Sequence, residues 1–351
     1  MAAKILLTGA TGYVGGVVLH FLASHLTDCS ITCLVRTEEQ SSLLKSTYLG
    51  VRTVLGTLES QDLLIAEAAK VDIVVHAANV DHKAGTLNLL YGLKSRRAEG
   101  KEPLYLLVSG TASLLDKENV RAGLPMTKAY NDVLDASDIW NLPLDRPHVA
   151  IERRFVQEGE ASGIKTIIVS PSQIFHTGIG IGKTESYLNE HPRAIIKRGA
   201  PFVVNGGRNL WCWISIEDLA DAICFLLRRY LDEETGSKDF STGYGRDGYY
   251  YVQTGELSAY EQTNEIAEEL LKLGAIRSTK IDHITEHDAT QLNDYGVLLW
   301  GSSMRSIGQK LRDLGWTPKT TDWKGLVRRA ARVEWEAVQA GESRGSNYQR
   351  V

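Results

Sequence analysis

Behind the apolar run Lys4–Thr8 stands Thr8-Gly9-Ala10-Thr11-Gly12-Tyr13-Val14-Gly15-Gly16, with a glycine at every third position from Gly9 to Gly15. The chemistry such a stretch performs is phosphate binding. Gly9 permits a tight turn out of a strand, Gly12 lacks the Cβ that would keep a pyrophosphate off the backbone, and Gly15 lets the helix that starts near Tyr13 pack closely. The N-terminus of that helix presents free N–H groups and a partial positive charge to the phosphates. A strand in front, a helix behind and a place at the head of the chain outweigh a merely structural turn, and the stretch reads as a dinucleotide-binding loop. At the end of the next strand an acidic residue would bond the ribose 2′-hydroxyl of NAD. Arg36 stands there instead. A guanidinium pairs with a 2′-phosphate in bidentate fashion, so NADP(H) is the expected cofactor and NAD(H) ranks second. The competing reading of Arg36 is a solvated strand-end charge engaged by Glu38 and Glu39.

The elements that must position this loop follow a βα rhythm. Lys4–Thr8, Ser30–Arg36, Val51–Leu55, Asp72–His76, Leu104–Ser109 and Lys165–Val169 read as strands separated by amphipathic stretches, the pattern of a parallel sheet. Runs such as Ile73-Val74-Val75 and Ile167-Ile168-Val169 do not alternate with polar residues, as strands covered on both faces require. The fold expected is α/β: a Rossmann doubly wound parallel sheet with helices on both faces and a smaller C-terminal substrate-binding cap. Residues 1–170 form the nucleotide domain, 171–340 the cap region with segments returning to the core, and 341–351 a polar tail. Helices are expected in the second part at Thr184–Arg198, Ile216–Tyr230, Ala259–Leu273, Met304–Leu314 and Lys324–Ala340.

Composition narrows the partners. With 39 Lys and Arg against 43 Asp and Glu the formal charge of the 351 residues is −4, and no basic block suggests nucleic acid or an anionic membrane. A small-molecule substrate is the partner expected. No apolar run approaches the roughly 20 residues of a membrane helix, and strand β-structure beginning at Lys4 leaves no room for a leader, so a cytoplasmic location is expected. Cys29, Cys33, Cys212 and Cys224 form no metal-binding spacing. Cys29 and Cys33 on one strand would lie about 13 Å apart, too far for a disulfide, so no metal and reduced thiols are expected. In the cap region Gly206-Gly207-Arg208-Asn209 leads to Trp211 and Trp213, a turn able to present guanidinium and aromatic groups to a flat or anionic substrate. The alternative for the tryptophans is core packing.

Thr8–Gly15, together with Val75-His76-Ala77-Ala78 and Gly85-Thr86-Leu87-Asn88-Leu89-Leu90, resembles the extended short-chain dehydrogenase/reductases, the NAD-dependent epimerase/dehydratase group. The likeness continues through Ser109-Gly110-Thr111-Ala112-Ser113, Trp213–Ala220 and Leu314-Gly315-Trp316-Thr317-Pro318, with the flavour of fungal members. The resemblance implies that Thr11, Gly12, Tyr13 and Val14 touch the pyrophosphate, Arg36 the adenosine end, Leu58 the adenine, and Ala77 and Ala78 the ribose. It implies that Ser109 or Thr111 faces the nicotinamide, although either hydroxyl could equally cap its own strand end. A homodimer is usual among such relatives.

The chain departs from that family where its chemistry resides. The Tyr-x-x-x-Lys pair should fall at positions 144 and 148, counting back from Glu152, and those positions hold Leu144 and His148. Pro147 suggests a helix over His148–Ser162 that starts late, with Asp145 as its cap. His148 could serve as acid or base, or only satisfy a loop carbonyl. Tyr130 could approach from a loop as a proton donor, or only pack that loop. His176, in Phe175-His176-Thr177-Gly178, occupies the place of a Tyr-Gly pair lining the family's substrate pocket, or is simply exposed. With Arg208 the one evident extra base, a sugar nucleotide fits less well than a smaller aromatic or polyketide-like compound of secondary metabolism. Three functions remain open: an NADP-dependent oxidoreductase of a small carbonyl or hydroxyl compound, an NmrA-like nucleotide sensor without turnover, and an isomerase or dehydratase that uses the cofactor as scaffold.

Overall fold

In the computed structural model, which describes residues 2–115, 124–176, 178–179, 181, 186–234 and 243–342, strand β1 (Lys4–Thr8) sends Ile5 and Leu7 to one face and Leu6 to the other, all of them buried. The same alternation with apolar residues on both sides recurs in β2 (Ser30–Val35), β4 (Ile73–His76) and β5 (Leu104–Val108). Such strands need cover above and below, and they get it. Helices α1 (Tyr13–His25) and Ile216–Glu234 pack on the face of Ile5, Leu7, Val75 and Leu106, whereas α3 (Gln61–Ala68), α4 (Lys83–Ala98) and Val149–Ser162 pack on the face of Leu6, Val74, Tyr105 and Leu107.

The sheet has seven parallel strands in the order Tyr249–Val252, Lys165–Pro171, β5, β4, β1, β2 and β3 (Arg52–Leu55). The order reverses between β1 and β4, and the switch point beyond Thr8 and His76 is where sheets of this kind form a ligand crevice. Each strand anticipated from the sequence is present within two residues. The strand Tyr249–Val252 was not anticipated, because three consecutive tyrosines show neither alternation nor an aliphatic run, although all four of its residues are buried.

A smaller cap follows. Its core gathers Phe175, Phe202, Trp213, Ile266, Trp300 and Val327 between helices Glu190–Arg198, Ala259–Lys272 and Trp323–Gln339 and three short strands, Gln173–Phe175, Leu210–Ser215 and Gly255–Ser258. The helix expected to start at Thr184 is described from a turn at Tyr187–Asn189, Thr184 lying outside the described residues. The tail is described only to Glu342. The single helix expected over Met304–Leu314 is instead a two-residue strand, Ser306–Ile307, and a short helix, Gln309–Asp313. Tertiary contacts override local preference there. The buried Asp132 carboxylate accepts from the N–H groups of Gln309, Lys310 and Tyr251 at 2.8–3.0 Å, which fixes the break at Gly308.

Among the described residues no helix is long and apolar enough to cross a membrane, no cluster of His, Cys, Asp and Glu could hold a metal, and the four cysteines are unpaired. His76 and His191 are buried without a carboxylate partner, and burial pulls both down to about 4. A histidine kept neutral in the fold contributes stability that is complete above its unfolded value of about 6.5 and is lost as pH falls from there to about 4. Urea midpoints should therefore decline through that interval. His191→Gln should flatten the decline, and an unchanged profile would show that burial of this ring carries no such cost.

Candidate functional site

The nucleotide loop is fixed by backbone contacts that tolerate no side chain. Gly9 has φ +78°, and a Cβ there would lie 2.4 Å from the Ala77 carbonyl oxygen, so the loop presses on the end of β4. A Cβ on Gly15 would lie 2.1 Å from the Gly9 carbonyl oxygen, so Gly15 seats α1 on the loop itself. The Gly12 N–H donates to the Gly9 carbonyl at 2.8 Å, and Gly12 occupies the N-cap of α1 without any side-chain cap or acidic residue in the first turn. The bare Cα of Gly12, where a Cβ would lie 3.2 Å from the Gly9 carbonyl oxygen, and the uncapped helix end fit a pyrophosphate.

Around this loop the residues expected at the cofactor take distinct places. Ala77 and Ala78 lie beside Gly9 past β4. Leu58 is half-buried against Gly85 at the start of α4. Thr11, Tyr13 and Val14 form the turn into α1, but the Tyr13 hydroxyl donates to the carbonyl of His176. This tethers the segment after Gln173–Phe175 over the nucleotide loop. His176 is held at φ +84° with its Nδ1 2.6 Å from Glu217 Oε1.

A second cluster stands beyond the end of β5. The Ser109 hydroxyl donates to Glu152 Oε1 at 2.5 Å, and the Tyr249 hydroxyl lies 3.2 and 3.4 Å from the two Glu152 oxygens. Glu152 is 4% exposed. Burial pushes its carboxyl up to about 7 against the opposing pull of the Ser109 bond, the His148 charge and the Tyr249 bond, with the Asp81 charge adding to the rise. His148 Nδ1 is 2.9 Å from Asp81 Oδ1, and its ring lies over Gly110. Burial would lower the imidazole, but the Asp81 carboxylate and then Glu152 outweigh it and raise it above its ordinary value.

Local sequence explains the placement of His148. The helix does start late, at Val149, but its cap is His148 itself at φ +67°, and Asp145, expected as the cap, lies outside it. Arg146 clamps the approach by donating to the carbonyls of Ser113 and Leu115 at 3.1 and 3.2 Å. A left-handed non-glycine residue is costly and is retained where the surroundings fix it. Leu144 is 57% exposed on the preceding loop, so no tyrosine equivalent reaches inward from there.

The structure thus brings Ser109, His148 and, on the buried turn after Gly110, Thr111 to one end of the sheet. Tyr130 is elsewhere in its contacts. It pairs with Ser306, lies under the Lys128 ammonium at 4.5 Å, and among the described residues makes no hydrogen bond to Ser109, Glu152 or His148. Trp213 is 3% exposed and stacks on Phe175 in the cap core, Trp211 donates its indole N–H to the Ser302 carbonyl at 2.5 Å, and Arg208 is exposed. Thr177 lies outside the described residues. Glu152, Asp81 and Tyr249 were not singled out as site residues from the sequence. The available signal was a glutamate four residues after His148, one helical turn along the buried face.

The model of the NAD dependent epimerase/dehydratase family matches residues 5–100. The chain is 30% identical over 325 residues, 91% of its length, to Oxidase ucsJ from Acremonium sp, of which it covers 93%. Among solved structures it is similar to dTDP-glucose 4,6-dehydratase from Bacillus anthracis in complex with NAD, with a TM-score of 0.63, 15% identity and coverage of 97% and 99% of the two chains. UDP-glucose 4-epimerase from Thermus thermophilus in complex with NAD gives a TM-score of 0.60, 15% identity and coverage of 95% and 99%.

These similarities overturn the ranking of NADP above NAD. NAD is the nucleotide in both of those structures and in the similar structures of WbmH from Bordetella bronchiseptica and DesIV from Streptomyces venezuelae, whereas NADPH accompanies the yeast reductase Gre2. The physical reason lies around Arg36. Its backbone N–H donates to Gln40 Oε1 at 3.0 Å and its side chain is exposed, while Glu38 and Glu39 occupy the first turn of the next helix, α2 (Glu38–Thr47). A bond from the Thr37 side chain holds the Glu39 carboxyl below its usual range, so it stays ionised. Glu38 and Glu39, two and three residues after Arg36, bring negative charge to the end of the strand, a poorer setting for a 2′-phosphate than for ribose hydroxyls.

Proposed function

The chain belongs to the NAD dependent epimerase/dehydratase family, whose members are NAD(P)-dependent enzymes acting on small molecules, and on that premise we propose an NAD-linked oxidoreductase of a small hydroxyl or carbonyl compound. The observation that carries this reading is the juxtaposition, across one crevice, of an uncapped glycine loop and a serine bonded to a buried carboxyl. The N–H groups of Thr11 to Val14 would hold the pyrophosphate, Glu38 and Glu39 beyond β2 the adenosine ribose, and the ends of β4 and β5 the nicotinamide. The order of the strands supports this direction, because the two halves of a dinucleotide lie on opposite sides of the switch point. The bound nicotinamide supplies or accepts the hydride.

The protein's part is positioning and proton transfer. Ser109 donates or accepts a hydrogen bond at the substrate oxygen and Thr111 lines the same end of the crevice. His148, held by Asp81, whose carboxylate favours the protonated ring, would stabilise negative charge developing on that oxygen. His176, tethered above the nucleotide loop through its carbonyl, borders the entrance. The name of the 30% identical relative, an oxidase, supports net redox turnover. The test is to supply NAD or NADH with a panel of small secondary alcohols and carbonyl compounds and to follow nicotinamide absorbance. Turnover that depends on Ser109 is the expected result. Nucleotide binding with no turnover across the panel would overturn the redox reading in favour of a nucleotide-binding protein.

A further inference from the structure

The family's usual proton carrier has no counterpart at Leu144, and the structure offers few replacements. Tyr249 and Tyr251 are fully enclosed, and burial drives both phenols well above their ordinary value, which keeps both protonated. Tyr130 is bonded to a different part of the molecule. His148 is engaged through Nδ1 by the Asp81 carboxylate, which raises the imidazole against the pull of burial, so the ring is tethered to Asp81. Glu152 remains: it is buried, bonded to the Ser109 hydroxyl at the end of β5, and balanced between neutral and charged forms.

We infer that Glu152, acting through Ser109, takes up and returns the proton that accompanies hydride transfer, and that the charge of the nicotinamide sets its ionisation. In the oxidation of a secondary alcohol the substrate O–H bond breaks and its proton joins Ser109 Oγ as the Ser109 proton moves to Glu152 Oε1. The C–H bond breaks in the same event, its hydrogen leaves with the electron pair for the oxidised nicotinamide, which is reduced, and the C=O bond forms. Reduction reverses each movement. A carboxyl poised near neutrality suits this exchange, because a base must be both present in the right form and ready to change it.

The groups facing Glu152 come from every element packed on it: Ser109 at the end of β5, Tyr249 on the edge strand, His148 at its own helix start and Asp81 on the loop after β4. Within this set His148 favours the carboxylate and Asp81 opposes it. The positive charge of an oxidised nicotinamide over Ser109 tips the balance toward the carboxylate, and the neutral reduced ring does not. Glu152 is thereby a positioning and proton-holding residue, distinct from Ser109, which touches the substrate. The inference rests on the placement of the nicotinamide proposed above.

The test needs no substrate. Calorimetric titration of the parent with NAD and with NADH, in buffers of different protonation enthalpy near neutral pH, counts the protons released by each nucleotide. NAD is expected to release up to about one proton more than NADH. In Glu152→Gln that difference is expected to disappear while both nucleotides still bind. A difference that persists in Glu152→Gln overturns the inference, because a purely structural glutamate would not alter the NAD-against-NADH proton count. Failure of the parent to bind either nucleotide would instead defeat the functional proposal. Should Glu152→Gln fail to fold, carboxyl-carbon resonance titration of glutamate-labelled parent decides the matter. One glutamate midpoint near neutrality, moved down by NAD and not by NADH, supports the inference, and the absence of such a midpoint overturns it.

Discussion

Gly15→Ala is expected to weaken NAD binding by at least about 100-fold, a loss on the order of 3 kcal/mol. Elsewhere in a helix the same change would stabilise the protein by up to about 1 kcal/mol, since alanine loses less backbone freedom than glycine. Here the new methyl would lie 2.1 Å from the Gly9 carbonyl oxygen, a distance no relaxation of a side chain can relieve. Either α1 moves off the loop or the loop moves off β4, where Gly9 already sits against the Ala77 carbonyl. Both movements turn the first N–H groups of α1 away from the phosphates. Calorimetric titration reads the affinity, and urea unfolding without nucleotide reads the accompanying fall in stability. An unchanged affinity would mean that the phosphates rest elsewhere.

Ser109→Ala is expected to lower kcat by about 100-fold to 10,000-fold while the Kd for NAD changes only a few-fold. The hydroxyl donates to the Glu152 carboxyl, and its removal breaks the proposed route of proton transfer without touching the glycine loop. It also removes a bond that favours the Glu152 carboxylate, so burial then dominates and the carboxyl titrates higher still. The residual rate should accordingly require more alkaline pH than that of the parent. A kcat unchanged from the parent would remove Ser109 from the reaction and leave the cluster a structural one.

The two halves of the site differed in how far the sequence disclosed them. The nucleotide loop was legible because its determinants are local: a strand, three spaced glycines and a helix start lie within thirteen residues, Lys4–Gly16. The main strands were legible for the same reason, each being an apolar run bounded by turn residues. The cluster at Ser109 was not, because its members come from β5, the loop after β4, a helix start and the last strand of the sheet, which only the parallel topology brings together. His148 was noticed without its partner, since Asp81 is 67 residues away in sequence. Arg36 misled for an electrostatic reason. A single positive residue at the strand end suggests a phosphate, but two carboxylates, Glu38 and Glu39, follow it in the first turn of the next helix. The region Met304–Leu314 misled because a helical pattern yielded to the buried Asp132, which claims the backbone of Gln309 and Lys310.

The central claim is that one crevice holds NAD on the glycine loop and presents its nicotinamide to Ser109. The most direct measurement is a crystal structure of the protein grown with saturating NAD. The account predicts the pyrophosphate on the N–H groups of Thr11 to Val14, the adenosine ribose facing Glu38 and Glu39, and the nicotinamide in contact with the Ser109 hydroxyl. A nicotinamide turned away from Ser109, or a crevice without nucleotide under those conditions, would contradict it.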